Sequence, residues 1–200
     1  VPITVFYCKD CEAILLDEGY LTDVRTAVAG SICAAALMTG PVSAVGIIGT
    51  GIQARFQLKY LNTVTPCKTV HVWGRSTENM AKYRADMQLL GYDVTSHGSP
   101  ADVAANANLI ITTTPSTTPL LTAGDIHPGT CIVAMGSDTE TKRELAGGIL
   151  SRAALVVADS ISQCRERGEI SKALPEGAVS ENQIIELGDL LAHPEQVNIK

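Results

Sequence analysis

The sequence predicts an α/β fold, a doubly wound parallel sheet, and three observations carry that prediction. Val45-Gly46-Ile47-Ile48 is a short, wholly apolar run, as a strand buried on both faces requires. It passes directly into Gly49-Thr50-Gly51-Ile52-Gln53-Ala54, a G-x-G-x-x-A turn that opens a helix. Short apolar runs then alternate with helical stretches through most of the chain. With 200 residues, 46% of them hydrophobic, the chain can bury one sizeable core and part of a second.

The elements follow in order. Residues 4–7 and 12–16 read as two strands around the tight turn Lys9-Asp10. Thr22 or Asp23 is expected to cap a helix reaching about Met38, with Val24, Val28, Ile32 and Ala35 on one face. Gly40-Pro41 stops it. Residues 44–48 form the first parallel strand and 52–61 its helix, followed by a strand at 69–73 and a helix at 78–90. A short strand at 93–96 and a helix at 100–106 come next. Further strands are expected at 108–113, 130–134 and 154–157, with helical stretches at 143–150 and 160–167. Residues 177–181 read as a loop, and a short helix is expected near 181–191.

Composition excludes several classes of partner. The net charge is −6 and no Lys/Arg block occurs, which argues against nucleic acid and against an anionic membrane surface. No apolar run reaches the ~18 residues of a membrane span. Val1-Pro2-Ile3 has no charged leader, and a chain that opens on valine is expected to belong to something longer. The six cysteines are Cys8, Cys11, Cys33, Cys67, Cys131 and Cys164, scattered through apolar contexts. They suggest a reduced, cytoplasmic protein. Cys8-Lys9-Asp10-Cys11 has the C-x-x-C spacing of a zinc half-site or redox pair. With no second pair to complete a metal site, a hairpin turn between two small apolar residues is the plainer reading, and no metal is expected.

The chemistry concentrates around residue 50. Gly49 permits the tight turn, Gly51 lets backbone approach a pyrophosphate, and small Ala54 lets helix and strand pack closely. Ile52 and Gln53 open the helix, whose free N–H groups and positive dipole end attract phosphate. A dinucleotide site is therefore expected here. In an NAD site an Asp or Glu usually ends the second strand. Here that strand runs into Gly74-Arg75-Ser76-Thr77, with no acid. Arg75 suits a 2′-phosphate, with two hydroxyls beside it, so NADP(H) is preferred over NAD(H). The alternative is that Arg75 stacks on adenine or is merely solvated. Thr112-Thr113-Thr114-Pro115 ends a strand at the carboxyl edge, where open α/β sheets bind ligands; ordinary β-propensity explains threonines there equally well. Trp73 reads as packing or an adenine wall. His71, His97, His127 and His193 look isolated, and none is a candidate base.

The chain also resembles the ornithine cyclodeaminase/μ-crystallin family. The matching residues are Leu21-Thr22-Asp23-Val24-Arg25-Thr26 before an Ala-rich helix, the glycine turn, Val72-Trp73-Gly74-Arg75 and Thr113-Thr114-Pro115. Pro128-Gly129, Met135-Gly136-Ser137-Asp138, Lys142-Arg143-Glu144-Leu145, Asp159-Ser160 and Gly168-Glu169 follow in family order. Leu15 to Thr22 is similar to bacterial branches linked to ectoine use and iminosuccinate reduction. The resemblance implies a Rossmann coenzyme domain over 41–175. Residues 1–40 would be part of an α+β substrate and dimerisation domain, and 176–200 a segment returning to it.

The resemblance implies roles as well. Arg25 would grip a substrate carboxylate, and Thr26 would contact the coenzyme phosphates. Gly74 to Thr77, Thr113 to Pro115, Met135 and Gly136 would line the coenzyme, and Asp138 would handle a proton opposite the nicotinamide. The plain alternatives are a surface ion pair of Arg25 with Asp23 or Asp17, and a turn-forming role for Asp138. Gly168-Glu169 is expected to end a helix. The implied chemistry interconverts a small amino acid and its imine by hydride transfer at Cα, in a homodimer. The preference for NADP(H) favours net reduction. A cyclodeaminase that recycles NAD is one alternative, and a coenzyme-binding module without turnover is another.

Overall fold

The computed structural model describes residues 3–8, 11–16 and 19–196. Strands β1 (Ile3–Cys8) and β2 (Cys11–Leu16) form an antiparallel hairpin in which Cys8 stands opposite Cys11. The expected turn Lys9-Asp10 lies outside the described residues. Helix α1 (Tyr20–Leu37) follows. Then come β3 (Val45–Ile48), α2 (Ile52–Leu61), β4 (Thr69–Trp73), α3 (Thr77–Leu89), β5 (Asp93–Ser96), α4 (Pro100–Ala105), β6 (Leu109–Thr112) and β7 (Cys131–Ala134).

The five strands from β3 to β7 form one parallel sheet in the order β5-β4-β3-β6-β7. Val45 lies level with Val70 and Leu109, and Ile48 with Trp73 and Thr112. The order reverses at β3: the chain winds to one side through β4 and β5, then returns through β6 and β7. That reversal opens a crevice at the carboxyl ends of β3 and β6. All four residues of β3 and all four of β6 are buried, which is why these runs are apolar without alternation. One core layer packs Val45, Ile47, Leu58, Leu61, Val72 and Tyr83; the other packs Ile48, Val103, Ile110, Leu121 and Leu145.

Helix α1 departs from its predicted cap and face. It starts on Gly19, in the left-handed region at φ 103°, with no side-chain cap. The Asp23 carboxylate instead accepts a hydrogen bond from Gln53 Nε2 at 2.8 Å. The buried face is Ala27, Gly30, Ser31 and Ala34, while Val28 and Ile32 are exposed. Small residues win the inner face because α1 lies close against α2. A Cβ on Gly30 would fall 2.2 Å from Gln57 Oε1. Gln57 is fully buried and donates from Nε2 to the Thr26 carbonyl at 3.1 Å.

The C-terminal third differs most from expectation. Helix α5 (Gly147–Arg152) starts after residues 143–145, whose backbone binds neighbouring segments: Arg143 N–H to Ser116 O, and Leu120 N–H to Glu144 O. β8 (Val156–Ala158) does not join the main sheet. After α6 (Ile161–Cys164) and α7 (Gly168–Ala173), the chain forms β9 (Ile184–Glu186), and β8 pairs with it in parallel. That strand occupies part of the expected helix, because Ile184 and Ile185 are β-branched and suit the pleat. A 3₁₀ turn at Glu181–Gln183 precedes β9, and the α-helix there is α8 (Leu187–Ala192). Gly168, at φ 82°, opens α7 instead of ending a helix. Among the described residues, no helix is long and apolar enough to cross a membrane.

Candidate functional site

The crevice is built around the turn after β3. Gly49 sits at φ 122°, where a side chain would be strained, and its N–H donates to Trp73 O at 2.8 Å. Thr113 leans over it: a Cβ at Gly49 would meet Thr113 Oγ1 at 2.5 Å. Gly51 caps α2 with extended backbone and no side-chain hydrogen bond, and no acid stands in the first turn. Nothing lies within 4 Å of its Cβ position, and the next residue, Ile52, is 62% exposed. The first amides of a ten-residue helix thus face open space at the sheet's reversal point, which fits the phosphates of a dinucleotide. Arg55 braces the turn by donating to Thr50 O at 2.6 Å and to Gly51 O at 3.1 Å, and it pairs with Asp86. Ala54 is fully buried beneath it. Gln53 points toward α1, giving its Nε2 to Asp23, and its buried Oε1 has no partner.

On the β4 side, Gly74 is buried against Thr50. Arg75 is exposed, and no carboxylate ends the strand. Ser76 caps α3 by accepting from Asn79 N–H at 3.2 Å, and Thr77 is exposed at that helix's start. Trp73 gives its ring N–H to Gly98 O at 3.2 Å, a packing role. His71 is not isolated: its Nδ1 lies 2.8 Å from His97 Nε2. Burial, with His97 beside it, holds the His71 ring below its ordinary pKa.

On the other side, the threonine hydroxyls after β6 are engaged within the protein. Thr112 Oγ1 donates to Glu144 Oε2 at 2.7 Å, Thr113 Oγ1 to Ile48 O at 3.4 Å, and Thr114 Oγ1 accepts from Ser116 N–H at 3.2 Å. Pro115 is exposed. Beyond β7, Met135 N–H donates to Thr112 O at 2.9 Å, and Gly136 approaches so closely that a Cβ would lie 2.4 Å from Thr114 O. Asp138 is exposed and ion-paired with Lys142. Arg25 is exposed on α1, and the Thr26 carbonyl is taken by Gln57. Among the described residues no hydrogen bond or ion pair joins Arg25 to Asp23 or to Asp138, and no group of three or more His, Cys, Asp or Glu could hold a metal.

Sequence reasoning gave no role to two carboxylates here. Glu144 is fully buried. Its Oε1 accepts from Thr114 N–H at 2.6 Å, and its Oε2 accepts from Thr112 Oγ1 and from Gly136 N–H at 3.0 Å. Burial pushes its carboxyl above the usual range, and the hydrogen bonds from Thr112 and Thr114 pull it back in part. Glu169 accepts from Ser137 Oγ at 2.5 Å, from Glu144 N–H at 2.7 Å and from Leu145 N–H at 3.0 Å. The available signal was an acid followed by Leu145-Ala146-Gly147-Gly148-Ile149, a stretch otherwise free of charge.

A glycine turn at the reversal point of a doubly wound parallel sheet defines a protein of the Rossmann class. Within that class the assignment is specific. A model of the ornithine cyclodeaminase/mu-crystallin family matches residues 11–195, and the chain belongs to that family. It is 37% identical over 183 residues to an uncharacterized cyclodeaminase of Sinorhizobium fredii, covering 90% of this chain and 55% of that protein. It is 32% identical over 179 residues to an alanine dehydrogenase of Archaeoglobus fulgidus, covering 89% of this chain and 55% of the other. Its fold is similar to that of a Thermococcus litoralis Δ1-pyrroline-2-carboxylate reductase in complex with NADH and L-proline. The TM-score is 0.89 at 27% identity, over 96% of this chain and 61% of that one. The chain spans about half the length of the curated relatives it matches.

Proposed function

We propose that the chain carries the coenzyme-binding part of an NAD(P)-dependent oxidoreductase that interconverts an imino acid and an amino acid, acting as a homodimer. The observation that carries this reading is the open Gly49–Gly51 turn leading into the uncapped start of α2 at the sheet's reversal point. Residues 41–175 would form the coenzyme unit. Residues 1–40 and 176–200 would belong to the substrate and dimerisation part, tied back to it by the β8–β9 pair.

Within that reading the residues divide the work. The amides of Gly51, Ile52 and Gln53 would receive the pyrophosphate, with Gly49 and Ala54 allowing the close approach. Arg75 at the end of β4, with Ser76 and Thr77 beside it, would favour a 2′-phosphate, hence NADP(H) over NAD(H). Thr113, Thr114, Pro115, Met135 and Gly136 would wall the nicotinamide side, and Thr26 would close the phosphate side. The coenzyme supplies the hydride acceptor or donor when bound. Arg25 would hold the substrate carboxylate with its planar fork and so fix which face of Cα is presented. Asp138 would take the proton released from the amino nitrogen as the imine forms, and return it in reverse.

A cyclodeaminase is the second reading, favoured by the 37% identity to a protein of that description. It would use the same residues with no net redox change. Fluorescence titration of the whole protein with NADPH and NADH, then a screen of imines formed from keto acids and ammonia, tests the proposal. NADPH is expected to bind more tightly. Failure to bind either coenzyme would overturn the assignment. Ammonia release from ornithine without net change at the nicotinamide absorbance would move the protein to the second reading.

A further inference from the structure

We infer that Glu144 and Glu169 form a relay that sets the spacing of the two loops flanking the nicotinamide side of the crevice, and that Glu144 is a positioning residue for that half of the coenzyme. This rests on the coenzyme site proposed above and deepens it.

The relay can be traced atom by atom. Glu169, in the first turn of α7, accepts both backbone N–H groups of Glu144 and Leu145, and so anchors the segment that carries Glu144. Glu144 then reaches between the two loops and takes a main-chain amide from each. One oxygen accepts Thr114 N–H from the loop after β6; the other accepts Gly136 N–H from the loop after β7. The glycine at 136 is part of the device. A Cβ there would lie 2.5 Å from both Glu144 Oε2 and Thr114 N, so only a bare backbone fits beside the carboxylate. Ser137, the next residue, is bound in turn by Glu169.

Only a carboxylate satisfies this arrangement. Each oxygen of Glu144 receives a backbone N–H, so a glutamine, with the same shape, would set its NH₂ against one of those donors. An aspartate is one methylene shorter and cannot reach both amides. The consequence for ligand binding follows from strand order. Thr113, the first residue after β6, packs on Gly49, and β6 and β7 lie on one side of β3. Gly74 and Arg75 follow β4 on the other side. Disturbing Glu144 would move the nicotinamide wall and leave the adenine side in place.

The test uses the whole protein and the variant Glu144→Gln, with 5′-AMP as a probe of the adenine side and NADPH and NADH as probes of the full crevice. The expected result is at least a tenfold loss of affinity for the better-binding dinucleotide, with 5′-AMP affinity changed less than twofold. Equal losses for both ligands, or no loss for either, would overturn the inference. A second measurement needs no variant. In the unmodified protein without coenzyme, the Thr114 and Gly136 amides should exchange hydrogen at least a hundredfold more slowly than exposed loop amides. Exchange at loop rates would overturn the relay even if the variant fails to fold. If the unmodified protein binds neither dinucleotide, the coenzyme reading fails, and amide exchange alone decides whether the relay exists.

Discussion

Removing the Glu169 carboxylate should destabilise the fold by an amount its hydrogen bonds allow to be worked out. The carboxylate accepts Glu144 N–H at 2.7 Å, Leu145 N–H at 3.0 Å and Ser137 Oγ at 2.5 Å. Glu144 and Leu145 are buried, so both amides lose their partner in Glu169→Ala. A buried donor left without an acceptor costs about 1–3 kcal/mol. Glu169 itself is half-buried, so water can enter part of the space it leaves, and the low end of the range applies to each amide. The hydroxyl of Ser137 can turn to solvent at little cost. The expected loss is about 2 kcal/mol, which for a chain of this size lowers Tm by roughly 4–8 °C. Urea unfolding followed by circular dichroism would show a lower midpoint at unchanged m-value. Glu169→Gln, which keeps one acceptor oxygen, should lose about half as much. A loss below about 0.5 kcal/mol for the alanine variant would mean that the segment around Glu144 is held by something else, and the reasoning would fail.

Two further outcomes are expected. The neutral His71 ring is favoured in the folded protein, because burial and His97 hold its pKa below the ordinary 6.5, while nearby Asp93 opposes this only in part. Its contribution is therefore present above about pH 6.5 and is lost as pH falls through the depressed folded value. Unfolding free energy should decline from about pH 7 to 5, and His71→Gln should flatten that decline; an unchanged slope would count against the pairing with His97. Gly49→Ala places a side chain at φ 122° and within 2.5 Å of Thr113 Oγ1, and should cost about 2 kcal/mol or more, measured as a lower Tm.

Much of the sheet was legible in the sequence because its signals are local. The strands at 69–73 and 93–96 and the helix at 52–61 have the bounds expected from apolar runs and turn residues. The glycine turn was legible for the same reason: strand, turn and helix are contiguous. The face of α1 was not, because periodicity weights large apolar residues, whereas close approach to α2 selects Ala27, Gly30, Ser31 and Ala34 for the inside. β9 was hidden by its length of three residues and by a partner 28 residues earlier in register. The paired carboxylates were hidden for a similar reason. Glu144 binds Gly136 eight positions away but also residues 30 and 32 away, and Glu169 binds residues 25 and 32 away, so the charge-free stretch after Glu144 hints at burial while no local pattern names the partners. Arg25 and Asp138 were singled out by resemblance, and both are exposed side chains.

The meeting of Gly30 with Gln57 couples the choice of residue at those two positions. The amide of one occupies the volume that a methyl group on the other would need. A change at either site alone would wedge the two helices apart or leave a hole between them. A larger residue on the first helix is therefore best accommodated beside a shorter one on the second.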